Sequence, residues 1–193
     1  MKATELPRLA DIFDLLRRGR HVCREDGDLY WLLQQHRLEY EELFNALGFQ
    51  LECHPREFFF FRGDGSLSKQ VSRMAIFFFI LVEWLADRGD FVEQQILDGD
   101  FDVRELPHLQ TDRYRATMRE AEVGSVEDVL DVIRSLEAFG FAQRLEGERF
   151  RFRTPVLRFV DLCHEVVRGD VAGQPSLEQL SISGAHAPGD ADE

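Results

Sequence analysis

One segment, Ser66–Gly89, constrains the fold of this chain more than any other, because residues 74–82 within it are apolar without interruption. Ser66 or Ser68 can cap the start of a helix here, and glycine commonly closes one. A helix that is apolar on all sides lies inside a core or a membrane. Arg73 and Glu83 bracket an apolar run far shorter than the ~20 residues that a spanning helix needs. We therefore predict a long buried helix at the centre of the fold and no membrane partner.

The composition predicts a globular protein. The chain has 193 residues, 44% apolar content and 17 phenylalanines, enough to bury roughly 70% of its unfolded surface in one large or two small domains. Residues 1–20 lack the uninterrupted apolar run of a signal peptide, and three cysteines do not make a disulfide framework. We therefore expect a cytoplasmic protein.

The charge distribution limits how this chain could bind nucleic acid. The net charge is −13, and residues 169–193 contribute −5 of it, which leaves −8 on residues 1–168. A protein that binds nucleic acid strongly on its own is normally basic over its binding domain, so any DNA contact must come from a local patch. Residues 169–193 are rich in small and acidic residues with almost no apolar pattern, which predicts a disordered acidic tail.

The rest of the chain alternates between helical periodicity and aromatic hairpins. The apolar spacing and the turn residues predict helices and hairpins throughout, with a break in the second helix near His36. The predicted helices cover residues 5–18, 28–47, 66–89, 91–97, 111–121, 125–139 and 154–167, and the predicted hairpins pair 49–53 with 58–62 and 141–145 with 150–153.

The order of elements repeats within the chain. Leu47-Gly48-Phe49 aligns with Phe139-Gly140-Phe141, and in both halves the second strand begins ten residues after the glycine, at Phe58 and Phe150. Helices, a glycine, a two-stranded wing and a further helix are the order of a winged helix; the alternative is a chance match, since Gly-Phe after a helix is common.

We therefore predict a mainly α fold with small β-hairpin wings, in the α+β class, made of tandem winged-helix domains around a long buried central helix. The predicted boundaries are residues 1–65 for the N-terminal winged-helix domain, 66–89 for the central helix, 90–168 for the C-terminal winged-helix domain and 169–193 for the tail.

Motifs that carry chemistry are weak in this sequence. Residues 63–69 lack the second glycine of a phosphate loop, and residues 98–102 begin like a calcium loop that lacks its later glycine and glutamate. His21 with Cys23, and Cys53 with His54, could meet in one sheet, but their spacing matches no zinc module. We predict no enzyme activity, no cofactor and no bound metal, and keep a small enzyme of unknown type as the third hypothesis.

The second wing carries a local basic stripe. Arg149, Arg151 and Arg153 alternate with two phenylalanines, so one strand face enters the core and the other presents guanidinium groups, with Arg144 expected beside them from the partner strand. Such arginines could contact DNA phosphates without reading sequence. The alternative is an ordinary solvated strand face.

The first wing is apolar on both faces. Phe58, Phe59, Phe60 and Phe61 follow one another without a charge that would protect a strand edge. Such a strand must be covered by the central helix or by another chain, and we predict a subunit interface.

Four segments together indicate a known family: Ile12–His21, the phenylalanine-rich wing leading into Ser66–Leu85, Glu105–Leu109 before Arg113-Tyr114, and Phe150–Phe159. They resemble the MksE family, the MukE-like subunits of Mks-type bacterial condensins, which are related to the corresponding subunits of Jet or Wadjet plasmid-defence systems. The likeness covers roughly residues 5–168 and consists of whole segments, with no catalytic motif.

The resemblance implies a non-catalytic, homodimeric accessory subunit of an SMC–kleisin complex. It would bind a kleisin subunit of the MksF or MukF type and, through it, an SMC-like ATPase of the MksB or MukB type. Double-stranded DNA would be bound weakly or only in the complex, and the protein would be nucleoid-associated. Chromosome condensation and segregation and plasmid restriction both remain open.

The alternative is a stand-alone winged-helix transcription regulator, which needs a basic recognition helix. Both candidate helices are acidic. The first contains Glu39, Glu41 and Glu42, and the second contains Glu127, Asp128, Asp131 and Glu137 against Arg134.

Overall fold

The structure is a computed structural model that describes residues 6–63 and 68–161, which form helices and short strands. The predicted α+β class is confirmed; the predicted tail and the end of the last predicted helix lie outside the described residues. The helices are α1 (Leu9–Arg17), α2 (Asp28–Gln35), α3 (Arg37–Ala46), α4 (Lys69–Asp87), α5 (Val92–Asp98), α6 (Asp112–Glu120) and α7 (Val126–Ala138), and residues 157–161 are also helical. The strands are β1 (Val22–Cys23), β2 (Leu51–His54), β3 (Phe58–Phe61), β4 (Asp100–Asp102), β5 (Ala142–Arg144) and β6 (Arg149–Phe152).

Local sequence signals explain where the long helices begin and end. The Ser68 hydroxyl accepts the Val71 N–H at 3.2 Å at the start of α4, and Gly89 adopts a φ of 75° after its end. Ser125 and Asp128 form a capping box at the start of α7. The predicted long helix and the predicted capped helix are therefore confirmed.

The part of the chain that the structure describes forms two small antiparallel sheets with the same internal order. In the first the order is β1-β3-β2, and in the second it is β4-β6-β5, so the last strand of each predicted hairpin lies in the middle. Both hairpins are confirmed. Residues 20–24, which the sequence predicts as a short extended segment, contain β1. The sequence also predicts a break between helices at residues 98–100, and β4 begins at the end of that break.

The repeated Gly-Phe step has the same geometry in both halves. Gly48 and Gly140 have φ values of 84° and 80°. In each case the amide of the following phenylalanine, Phe49 or Phe141, donates at 2.8 Å to the carbonyl five residues earlier. This is the hydrogen bond that closes a helix through a left-handed glycine, and it turns the chain into the hairpin.

Two hydrophobic cores divide the described chain. One lies within residues 12–61, between α1–α3 and the first sheet, and the other lies within residues 71–160, between α4–α7 and the second sheet. The prediction that α4 is buried on all sides was wrong. Because α4 packs into the second core alone, one side faces outward and Phe79 is 49% exposed.

Candidate functional site

Strand β6 exposes two of the three arginines that were predicted to form its basic stripe. Arg149 and Arg151 are exposed, whereas Phe150 and Phe152 are buried in the second core. Arg144, on the neighbouring strand β5, is also exposed. The three exposed guanidinium groups belong to one wing, and we refer to Arg144, Arg149 and Arg151 as the wing arginines.

Carboxylates from elsewhere in the second half hold the wing arginines. Asp100 Oδ2 lies 3.0 Å from Arg149 Nη2, and Asp100 Oδ1 lies 3.1 Å from Arg151 Nε. Arg144 Nε donates to Glu137 at 2.5 Å. The wing therefore presents arginines that already have anionic partners, and a DNA phosphate would have to compete with them.

Further ion pairs extend this charge balance along the sheet. Arg104 forms a two-pronged contact with Glu148, at 2.8 Å from Nε and 3.1 Å from Nη2. Asp102, on the same strand as Asp100, accepts the Arg104 backbone N–H at 2.9 Å. The electrostatic field of the patch is consequently much weaker than a strand of alternating arginines suggests on its own.

Strand β4 is the feature that sequence reasoning missed here. Asp100 and Asp102 flank Phe101, which repeats the period-two alternation of β6, and Asp100 lies opposite Arg151 in the sheet. A segment with that alternation is a short half-exposed strand. The alternation is visible in the sequence, where it overlaps the segment that resembles the first half of a calcium loop.

Arg153 is a correction to the predicted stripe. Its side chain is 7% exposed, and its Nη2 lies 2.7 Å from Asp26 Oδ2 and 3.1 Å from Cys23 Sγ. Strand β6 ends at Phe152, so the alternation that would expose Arg153 stops one residue earlier. The guanidinium group instead points into the contact between the two halves, where it is not available to DNA in this conformation.

The carboxylate of Asp26 is the centre of that buried polar contact. It also accepts hydrogen bonds from Arg20 Nη2 at 3.1 Å and from the Cys23 backbone N–H at 3.0 Å. Burial by itself raises the pKa of Asp26, but the hydrogen bonds from Arg153 and Cys23 outweigh it and hold the pKa below its ordinary value. Burial raises the pKa of the Cys23 thiol, so this cysteine is protonated at neutral pH.

The four consecutive phenylalanines of β3 are also a correction. All are buried within this chain, and β3 is the middle strand of its sheet, not an unprotected edge. Phe59 and Phe61 pack into the N-terminal core, whereas Phe58 and Phe60 lie on the opposite face with Cys23. The other half of the same chain covers this second face, so neither α4 nor a partner chain is needed there.

His21 fills the space between that face and the C-terminal half. Its ring lies 5.1 Å from the ring of Phe60 and 4.5 Å from that of Phe141, and its backbone N–H donates to Phe139 at 2.9 Å. Burial, reinforced by the charge of Arg158, lowers the pKa of His21 well below its usual value. The neutral ring accepts from Arg158 through Nε2 at 2.9 Å, because a guanidinium group can only donate.

A second polar contact joins the halves at the tip of the first wing. Arg56, in the turn between β2 and β3, binds Glu93 at 2.8 Å and Asp161 at 2.7 Å. Together with the contacts of His21 and Arg153, this places the hairpin tip and the far face of the first sheet against the C-terminal half. We refer to this combined contact as the inter-half junction.

Several large apolar side chains remain exposed away from the junction. Phe91, just before α5, is 82% exposed, and Phe79 on α4 is flanked one turn away on either side by the half-buried Ile76 and Val82. Single exposed apolar residues are ordinary, but an aromatic residue within an apolar strip is a candidate for protein contact. Within residues 6–63 and 68–161, the other large apolar side chains that are exposed are Trp31, Leu38, Leu47, Leu97 and Val126.

The described residues offer neither a metal centre nor a spanning helix. Within residues 6–63 and 68–161, His, Cys, Asp and Glu side chains do not gather in groups of three or more that could hold a metal ion. The same part of the chain contains no helix of the length and apolarity needed to cross a membrane.

Comparison with known proteins identifies a family and a relative. A family model described as "Condensin complex protein MksE" matches residues 7–164, which include both halves and the junction. The chain is also similar to the protein named "Chromosome partition protein MukE" from Vibrio parahaemolyticus serotype O3:K6 (strain RIMD 2210633). The two are 28% identical over 172 residues, which cover 82% of this chain and 74% of the Vibrio protein.

Proposed function

The chain belongs to the MksE family of condensin complex proteins, and we propose that it is a non-catalytic accessory subunit that binds a kleisin and contacts DNA in the assembled complex. The observation that carries the proposal is the family match, which spans both halves of the chain. The kleisin would be of the MksF or MukF type and would connect this subunit to an SMC-like ATPase of the MksB or MukB type. We further propose that the subunit acts as a homodimer, in the cytoplasm and at the nucleoid.

Tandem winged-helix domains are the architecture we propose for this subunit. The support is the repeated order of helix, left-handed glycine and hairpin, together with the identical strand order of the two sheets. We place the N-terminal domain at residues 1–65. We group the central helix of residues 66–89 with the C-terminal domain of residues 90–168, because the buried side chains of α4 all lie in the second core.

DNA contact is proposed through the wing arginines, without Arg153. Arg144, Arg149 and Arg151 are exposed on one wing and are suited to contacts with phosphates, which position a duplex without reading its sequence. Because they have carboxylate partners and the chain is acidic, the duplex affinity of the free chain is low. Basic groups supplied by other subunits would raise it by multivalent binding.

Subunit contact is proposed through the apolar strip of α4, instead of through β3. Phe58, Phe59, Phe60 and Phe61 are buried in the chain itself, whereas Phe79 is half-exposed between Ile76 and Val82. Burying an aromatic side chain of this kind at a protein interface can contribute a large share of the binding free energy.

The test is a tagged pull-down of the full chain from native lysate at about physiological salt, where exposed charges are already partly screened. We expect a kleisin and a long coiled-coil ATPase to be retained in a fixed ratio. Phe79→Ala should reduce that retention, while Leu38→Ala, a matched removal of an exposed apolar side chain, should not. Recovery of the chain alone would contradict the proposed role.

The stand-alone regulator is not favoured. The exposed acids of α7 include Glu127 and Asp131, and the single arginine of that helix, Arg134, contacts both of them. A recognition helix with this charge pattern repels the phosphate backbone. Chromosome partition and plasmid restriction are separable only by experiment: deletion of the gene should impair nucleoid segregation in the first case and raise plasmid retention in the second.

A further inference from the structure

We propose that Asp100 is a built-in competitor of DNA, which occupies Arg149 and Arg151 in the free chain and is displaced when a phosphate binds. This inference rests on the proposed DNA contact and adds a mechanism that regulates it. It would make DNA binding by the wing depend on the complex that supplies additional positive charge.

The geometry gives one carboxylate control over two arginines. Asp100 lies on β4 directly opposite Arg151. Its Oδ2 is 3.0 Å from Arg149 Nη2 and its Oδ1 is 3.0 Å from Arg151 Nη2, so each oxygen serves one guanidinium group. A phosphate group presents the same pair of anionic oxygens, and Arg binds both chemistries through the same planar set of donors.

The exposure of the three side chains makes the exchange feasible. Asp100 is 30% exposed, and Arg149 and Arg151 are 53% and 49% exposed, so the arginines can rotate toward solvent without opening a core. Ion pairs this accessible are weak, typically below about 1 kcal/mol, and a ligand with several phosphates can displace them. A buried pair such as Arg153 with Asp26 would not exchange in this way.

The change that tests the inference is Asp100→Asn, which keeps the shape of the side chain and removes its charge. Glu146→Gln is the matched control, because Glu146 lies exposed in the turn of the same wing and its loss changes the net charge equally. Asp100→Thr provides a second variant with good strand propensity if the first proves poorly folded.

Binding is measured by fluorescence anisotropy on the full chain and on the co-purified complex, with a labelled duplex of about 30 base pairs in roughly 50 to 200 mM salt. We expect Asp100→Asn to tighten binding about two- to tenfold beyond Glu146→Gln, as the release of two exposed ion pairs allows. The slope of log affinity against log salt should stay within about 1 of the control's slope, because Asp100 is displaced in the bound state and the same two arginines neutralise phosphates in both chains.

Two outcomes would overturn the inference while separating it from the proposed function. If Asp100→Asn and Glu146→Gln have equal effects, only net charge matters and Asp100 is no competitor, although the wing arginines keep their role. If Arg149→Gln with Arg151→Gln leaves binding by the complex unchanged, the wing contact itself is wrong. In that double variant, Asp100→Asn should give no gain beyond the control.

Discussion

Arg153 Nη2 lies 2.7 Å from Asp26 Oδ2, and both side chains are nearly buried, at 7% and 11% exposure. The pair joins the end of β6 to the turn after β1, two elements that belong to different halves. A buried ion pair adds little more to stability than an apolar contact would. Removing one charge is costly, however, because the other then stays buried with less compensation. The halves are therefore held together by groups that must stay paired.

We expect Arg153→Met to destabilise the chain by about 1–3 kcal/mol, because it removes one of the two guanidinium partners of the nearly buried Asp26 carboxylate and leaves only Arg20. Arg149→Met is the matched control, since Arg149 lies on the neighbouring strand β6 with an exposed side chain. That control should change the free energy of unfolding by no more than about 0.5 kcal/mol. Urea unfolding of both variants measures the difference; equal midpoints would contradict the role given to the buried pair.

Phe59→Ala should cost about 3–5 kcal/mol, because Phe59 is fully buried in the N-terminal core. Phe79→Ala removes the same side chain from the exposed strip of α4 and should leave stability within about 0.5 kcal/mol. Thermal unfolding and pull-down measured together separate the two kinds of residue. If Phe59→Ala kept its full thermal stability but no longer retained partner proteins, β3 would again be the proposed interface.

Local signals in the sequence were sufficient for most of the elements. Ser68, Gly89 and the capping box at Ser125 act within a few residues of the helix ends that they determine, so their effect can be read without knowing the fold. The two hairpins were predictable for the same reason, since alternation and turn residues are contiguous.

Contacts between distant segments were not predictable from the same signals. Arg153 follows the alternation of β6 in sequence, but its position is decided by Asp26, which lies far earlier in the chain. Likewise Asp100 pairs with both exposed arginines of β6 only because β4 pairs with β6. A pattern read along one strand cannot reveal which charges the neighbouring strand brings.

Acid should weaken the fold through His108. This side chain is fully buried, lies 2.7 Å through Nε2 from the Phe77 carbonyl, and has its pKa lowered to about 4 by burial. In the unfolded chain His108 takes up a proton near its ordinary pKa of about 6.5, whereas in the folded chain burial opposes protonation. The contribution of His108 to the free energy of unfolding is therefore complete above about pH 6.5. As the pH falls toward about 4, the protein loses about 3 kcal/mol of stability through this residue.

The test is the pH dependence of urea unfolding between about pH 7 and 4.5, over which His108 should account for about 2–3 kcal/mol of the loss, beside the loss caused by the buried His21, whose pKa is also lowered. His108→Asn keeps a donor for the Phe77 carbonyl and does not titrate. The variant should be less stable at neutral pH and lose about 2–3 kcal/mol less on acidification. A slope equal to that of the unchanged chain would show that His108 does not carry the acid sensitivity.

Gly140 and Gly48 provide a matched test of how the halves are joined, since both have left-handed backbone at the same step of the repeat. A Cβ at Gly48 meets nothing within 4 Å, whereas one at Gly140 would lie 2.5 Å from the His21 carbonyl oxygen. Gly48→Ala should therefore cost only the conformational strain, about 1–2 kcal/mol.

Gly140→Ala carries the same strain and must also displace the His21 backbone, whose N–H donates to Phe139 at 2.9 Å. We expect it to cost at least about 2 kcal/mol more than Gly48→Ala, since a buried hydrogen bond is lost along with the packing of the junction. Urea unfolding compares the two variants directly. Equal losses would mean that His21 can move away from Gly140 without weakening the contact, and the junction would then be a loose contact between halves that fold independently.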